Sequence, residues 1–90
     1  MEYVQVAVVA KQLLVNDFVY HNKQWYHLED KWRKCSEDLE LHMFLSEYLS
    51  RYYGTTRVAK ELKTFPYRNR VIRVLSKLLV DSEFESKLDR

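Results

Sequence analysis

Three short aromatic runs, separated by polar gaps, constrain the fold of this 90-residue chain more than any other feature. The runs begin at Phe18, Trp25 and Trp32, and the two tryptophans lie seven residues apart. Aromatic and β-branched side chains suit a pleated, half-buried surface, and gaps of three or four polar residues suit hairpin loops. The pattern predicts a three-stranded antiparallel meander with strands near 18–21, 25–28 and 32–35.

The spacing of apolar residues predicts helices on both sides of this meander. Residues 3–14 carry apolar side chains at three- and four-residue steps, although Val4, Val6 and Val8 also alternate as a strand would. Asp81-Ser82 can cap a last short turn that holds Glu83, Phe84 and Leu88. We expect one α+β domain over residues 1–90, mostly helical, with four to five helices. Besides the helix at 3–14, helices are predicted at 37–53, from about 56 to 63, and at 67–80.

The helix at 37–53 has the clearest signals. Ser36 suits the N-cap, acidic residues follow it in the first turn, and Gly54 suits a left-handed C-terminal position. The apolar face predicted for this helix consists of Leu41, Phe44, Leu45, Tyr48, Leu49 and Tyr52. The residues that we expect to anchor the structural core, where sheet meets helix, are Trp25, Trp32, Phe44 and Tyr48.

The net charge is only +2, but residues 55–80 carry seven basic residues against one acid, Glu61. Such an excess points to nucleic-acid phosphates, with Tyr67 as a ring that could stack on a base. A solvated polar helix face is the alternative explanation. The candidate nucleic-acid-binding residues are Arg57, Lys60, Lys63, Arg68, Arg70, Arg73 and Lys77, of which the last three share the polar side of helix 67–80.

No catalytic motif is present: the sequence has no Walker A pattern, no His-Glu-x-x-His and no paired cysteines. The available metal ligands are His21, His27, His42 and Cys35, whose spacing matches no common zinc site, although His21 and His27 could face each other across the first hairpin. We expect no metal, no cofactor and no catalysis by this chain itself. Cys35, the only cysteine, fits a small apolar filler and a reducing compartment. No apolar run reaches the length of a membrane span, and Glu2 lies where a signal peptide would be basic.

Two segments of the chain carry a family resemblance. The aromatic runs lead through Trp32-Arg33 into an acidic helix start, and residues 71–79 read Val-Ile-Arg-Val-Leu-Ser-Lys-Leu-Leu before Asp81, Phe84 and 87–89. Together they resemble the domain that precedes the superfamily three helicase motor in poxvirus-type primase–helicases, with related segments in other large DNA viruses and in phages.

The resemblance implies a multidomain replication enzyme, with a primase part upstream and a hexameric AAA+ motor downstream. ATP and magnesium would belong to that motor, because this sequence has none of its phosphate-binding motifs. The implied role is a non-catalytic collar that joins primase to motor, supports assembly of the homo-hexamer and contacts DNA. The implied location is a viral replication site in the host cytoplasm or nucleus. The alternative is a self-standing basic module, similar to a helix-turn-helix, that reads duplex DNA with helix 67–80.

Overall fold

The computed structural model describes residues 2–35, 38–81 and 83–84. This part of the chain is α+β and mostly helical, with a three-stranded antiparallel sheet, which confirms the predicted fold class. The helix predicted at 37–53 corresponds to one continuous helix over 39–53, which consists of three consecutive pieces and is labelled α2. The elements are α1 (Glu2–Leu14), β1 (Phe18–His21), β2 (Gln24–Leu28), β3 (Trp32–Lys34), α2 (39–53), α3 (Arg57–Glu61) and α4 (Phe65–Leu78).

A tight two-residue turn joins β1 to β2. Asn22 and Lys23 both have positive φ, 51° and 62°, as a type I′ turn requires, and this turn matches the twist of the two strands. The strands are therefore paired up to the turn, with His21 opposite Gln24 and Tyr20 opposite Trp25. The sheet order is β1-β2-β3, as expected for a meander.

The strand register gives the sheet two faces with different coverings. Phe18, Tyr20 and Trp25 lie on the face toward the helices, where Phe18 and Trp25 join the main core. The opposite face carries Tyr26 and Trp32, and the ring of Phe84 covers it from the C-terminal segment. The ring centroids of Phe84 and Tyr26 are 4.8 Å apart, and those of Phe84 and Trp32 are 4.9 Å apart. Both faces of the small sheet are thus partly covered, while Arg33 and Lys34 of β3 remain exposed.

The main core lies where α1 packs along α4 and the sheet closes one end. Val6, Ala7, Ala10 and Leu14 of α1 are buried, whereas Val4 and Val8 are exposed, so the helical spacing prevails over the strand-like alternation. From α2 and α4, the buried apolar residues are Leu41, Leu45, Leu49, Tyr67, Val71, Ile72 and Leu75.

Two of the four predicted anchors need correction. Trp25 is buried, and Phe44 is partly buried against the core. Trp32 is only partly buried, because it lies on the face that Phe84 covers rather than against the helices. Tyr48 is 57% exposed and therefore does not belong to the core.

Helix α4 begins two residues earlier than predicted. Pro66 lies between the two predicted helices, at about 56–63 and 67–80, but in the structure it belongs to the first turn of α4. The N–H that proline lacks would have no intrahelical acceptor there, so the ring is tolerated. The break falls instead at 62–64, and α4 ends at Leu78 rather than at 80. The predicted capping residues Ser36 and Ser82 and the predicted turn residue Leu88 lie outside the described residues.

None of the helices in the described ranges combines the length and the apolar character needed to cross a membrane.

Candidate nucleic-acid interface

A tight connection between α2 and α3 places basic side chains together. Gly54 follows α2 with φ 66°, a conformation that favours glycine, as the sequence predicted. The hydroxyl of Thr56 then accepts a hydrogen bond from the backbone N–H of Ala59 at 3.4 Å and caps α3. The chain therefore turns back at once, and α3 packs beside the last turn of α2.

This turn creates an open groove with a volume of about 310 Å³. Arg51 of α2 lies on one wall, and Lys60 and Lys63 lie on the other. Among the described residues, no carboxylate lines the groove, and these three cations form no ion pair. The groove, which we call the basic groove, is complementary to a phosphate-bearing chain. Its lining consists of Ser50, Arg51, Gly54, Ala59, Lys60 and Lys63.

A second set of cations follows α4. Arg70, Arg73 and Lys77 are all exposed, and their spacing of three and four residues aligns them along one side of the helix. Val71 and Leu75 on the opposite side are buried in the core. The structure thus gives a basic stripe where the sequence predicted one.

Two predicted binding residues, Arg68 and Arg57, make polar contacts with other residues of the domain. Arg68 Nε donates to His42 Nδ1 at 2.9 Å, and its Nη1 donates to the carbonyl of Leu62 at 3.1 Å. Arg57 Nε lies 3.8 Å from a carboxylate oxygen of Glu61, which is one helical turn away. Arg68 therefore ties α4 to α2 and to the end of α3, and Glu61 offsets part of the charge of Arg57.

His42, the partner of Arg68, is a buried histidine on α2. Burial is the main cause that lowers its pKa, Asp38 opposes that shift, and the charge of Arg68 adds to it. Because Nδ1 accepts a hydrogen bond from Arg68, the proton of the neutral ring is assigned to Nε2. Nε2 lies 3.5 Å from a carboxylate oxygen of Asp38. The ring also stacks on Phe65, with centroids 4.9 Å apart. This geometry assigns His42 a structural role.

The prediction that Tyr67 stacks on a base is wrong, because its ring is buried. Tyr67 is 7% exposed and packs in the core, so its ring cannot meet a base. Tyr48 and Tyr52, which the sequence placed on the buried face of α2, are instead 57% and 65% exposed. With Arg51 they line an open hollow of about 280 Å³.

A π-helical segment explains why these tyrosines face outward. The middle piece of α2, Phe44–Leu49, is π-helical, between α-helical pieces at Leu39–Met43 and Ser50–Tyr53. A π turn holds one more residue than an α turn, so the face that follows is rotated by about one position. Tyr53 consequently packs against the core in place of Tyr52.

A serine side chain accompanies this widened turn. Ser50 is buried, and its hydroxyl donates to the carbonyl of Ser46 at 2.6 Å. The hydrophobic pattern gives no sign of this arrangement, because an α-helical period places Ser50 on the side of the helix opposite the predicted apolar face. Arg51, which is not among the predicted binding residues, lies on the same rotated part of α2 and lines the basic groove.

The residues considered as metal ligands lie apart. His21 pairs with Gln24, and His27 pairs with Phe18. Side chains three residues apart on a strand lie on opposite faces, so His21 and His27 occupy opposite faces of the sheet. His27 Nδ1 is 2.7 Å from a carboxylate oxygen of Glu40. Among the described residues, no group of three or more histidine, cysteine or acidic side chains could hold a metal.

Cys35 is buried at the end of β3. Burial is the main cause that raises the pKa of its thiol to about 12, and the negative charge of Glu40 adds to it. The thiol is therefore protonated at neutral pH and is a poor nucleophile.

Comparison of the chain with protein-family models, curated proteins and solved structures finds no match.

Proposed function

We propose that this domain is a non-catalytic module that contacts the phosphates of nucleic acid through the basic groove. The observation that carries the proposal is the position of Arg51, Lys60 and Lys63 around one groove without a lining carboxylate among the described residues. Cations that only solubilise a surface are usually interspersed with acids. Three cations on one concavity supply multiple phosphate contacts instead, and the stripe on α4 supplies more.

The biological setting that we propose is a collar between the primase and the motor of a viral replicative helicase. Support for this setting comes from the aromatic meander and the segment 71–79 described above. In that role the domain would assist assembly of a homo-hexamer, and the basic groove would hold DNA at the entrance of the ring. ATP and magnesium would act in the adjoining motor, at a viral replication site in the host cell.

A pair of matched variants tests the phosphate contacts. Lys60→Gln with Lys63→Gln removes two groove charges, and Lys31→Gln with Lys34→Gln removes two exposed charges near the sheet. Binding to labelled duplex DNA is followed by fluorescence anisotropy from about 50 to 200 mM salt. We expect the groove variant to reduce the slope of log K against log salt by about 1.8, that is about 0.9 per lost contact, with the control unchanged. Equal losses in both variants, or no binding by the wild type at low salt, would contradict the proposal.

A self-standing duplex reader is the second candidate, and the exposed stripe on α4 favours it. Replacing Arg70, Arg73 and Lys77 with Glu should then abolish duplex binding and any sequence preference, while thermal unfolding stays cooperative because all three residues are exposed. If the collar proposal holds, the groove variant should weaken binding more than this triple variant does, and sequence preference should be absent. Competition with unrelated duplexes measures the preference.

A further inference from the structure

Two tyrosine rings stand beside the basic groove and are held in place by other rings. Tyr48 stacks on Phe44 with centroids 5.2 Å apart and planes 19° apart, and Tyr52 meets Tyr53 edge to face at 5.4 Å. Phe44 and Tyr53 pack against the core, so each exposed ring leans on an anchored one. Rings that are exposed but fixed lose little conformational entropy when a ligand stacks on them.

Arg51 connects these rings to the cations. Its side chain lines both the hollow of Tyr48 and Tyr52 and the basic groove with Lys60 and Lys63. Among the described residues, no carboxylate lines either concavity. Aromatic faces and phosphate-binding cations are therefore neighbours on one surface.

We infer that Tyr48 and Tyr52 stack on unpaired bases while the basic groove holds the phosphates, so the domain binds single-stranded nucleic acid in preference to duplex. The inference rests on the proposed function, because it names the form of nucleic acid that the same site takes. A combination of stacking rings and a basic groove is the physical basis of sequence-tolerant single-strand binding. Bases inside a duplex are stacked on each other, so a side chain reaches their faces only if the stack is opened, which costs free energy.

Charge argues against an apolar protein partner at this surface. A hydrophobic face placed over the rings would bring Arg51 out of water, and burial of an unpaired cation is costly. A nucleic-acid strand instead offers bases to the rings and phosphates to Arg51, Lys60 and Lys63. The composition of the surface thus fits one ligand that is both aromatic and anionic.

Three labelled ligands separate the two kinds of contact. The first is oligodeoxythymidine of about 20 nucleotides, the second is an abasic strand of the same length, and the third is a blunt duplex. The abasic strand keeps the phosphates but has no base to stack, so it reports the groove alone. For the wild type, we expect oligodeoxythymidine to bind at least about tenfold more tightly than the abasic strand.

Matched substitutions identify the rings. Tyr48→Ala with Tyr52→Ala should weaken oligodeoxythymidine binding by at least about tenfold and leave the abasic strand and the duplex unchanged. Tyr48→Phe with Tyr52→Phe retains both rings and should bind like the wild type. Circular dichroism and thermal unfolding verify that each double variant is folded, as expected for positions that are more than half exposed.

The possible negative results distinguish the stacking inference from the proposed phosphate contact. If the wild type binds all three ligands equally, or if the alanine variant retains full affinity for oligodeoxythymidine, the stacking inference is wrong and the proposed phosphate contact survives. If the wild type binds none of the ligands, both are wrong. Sedimentation of the same variants tests a protein partner: a wild-type oligomer that the alanine pair dissociates, with nucleic-acid binding unaffected, would assign the rings to an interface between copies of the chain.

Discussion

His42 shows how a single buried side chain can couple the stability of this domain to pH. Its ring accepts a hydrogen bond from Arg68, faces Asp38 and stacks on Phe65, so it joins α2 to the start of α4. Protonation of Nδ1 would replace the acceptor of Arg68 with a second donor and place two positive charges together. The folded state therefore favours the neutral ring, in agreement with the lowered pKa of His42.

The sign of the resulting pH dependence follows from the proton count. The pKa of His42 lies below 6.5 in the folded state and near 6.5 in the unfolded chain. Between these two values the unfolded chain binds more protons, so the free energy of unfolding falls as the pH is lowered. The contribution of His42 is complete above about pH 6.5 and is lost as the pH falls toward the folded-state pKa, at a rate of at most about 1.4 kcal/mol per pH unit.

A glutamine replacement tests this coupling. In His42→Gln the side-chain oxygen can accept from Arg68 and the amide N–H can point toward Asp38, but the group does not titrate. Urea unfolding between about pH 7.5 and pH 5 should show a smaller loss of stability for this variant than for the wild type. The other histidines are present in both proteins, so their contributions cancel in the difference. Parallel pH profiles for the two proteins would contradict the prediction.

At the scale of secondary-structure elements, the sequence predicts the type of each element better than its side-chain directions. The meander follows from its aromatic runs, and the C-terminal turn of α2 follows from Gly54. For α2, an α-helical period correctly predicts that Leu45 and Leu49 are buried, but it wrongly predicts the same for Tyr48 and Tyr52, which are exposed. A π segment is defined by backbone hydrogen bonds between residues five apart, and here the Ser50 hydroxyl also donates to the carbonyl of Ser46. No hydrophobic pattern encodes either feature.

The different burial of two adjacent tyrosines shows the rotation that the π segment introduces into α2. Tyr53 packs against the core and Tyr52 is 65% exposed, whereas an uninterrupted α-helix would bury Tyr52. Tyr53→Ala should therefore lower the free energy of unfolding by about 2–4 kcal/mol. Tyr52→Ala should cost less than about 1 kcal/mol, because it loses only one edge-to-face contact with Tyr53. Chemical denaturation of both variants gives the comparison, and a larger cost at Tyr52 would mean that α2 is α-helical throughout.

At the scale of the whole molecule, charge count predicted where cations concentrate but not which of them remain available. Lys60, Lys63 and the α4 stripe are exposed as predicted, while tertiary contacts engage Arg68 with His42. Arg51 belongs to a segment with excess acid, so composition alone hides it. It joins the basic groove only because Gly54 reverses the chain and brings α3 beside α2. A groove made by two elements is a property of their packing, which a charge count along the sequence does not contain.

The C-terminal segment closes the fold over the sheet. Tyr20 N–H donates to the carbonyl of Leu79 at 3.0 Å, and Asp81 N–H donates to the carbonyl of Tyr20 at 3.1 Å, so the segment runs beside β1 like a short parallel strand. Three residues further, Phe84 is fully buried against Tyr26 and Trp32. The outer face of the sheet consequently depends on a residue distant in sequence.

Removal of this ring tests the closure. Phe84→Ala should lower the free energy of unfolding by about 3–5 kcal/mol, as expected when a fully buried phenylalanine is truncated. Phe65→Ala is the matched control, because Phe65 is 60% exposed and loses mainly its stacking contact with His42, about 0.5–1.5 kcal/mol. At temperatures where the variants remain folded, acrylamide should quench tryptophan fluorescence more strongly in Phe84→Ala, since Trp32 loses its cover while Trp25 stays buried. Equal quenching and equal stability in the two variants would show that the sheet keeps its outer face without Phe84.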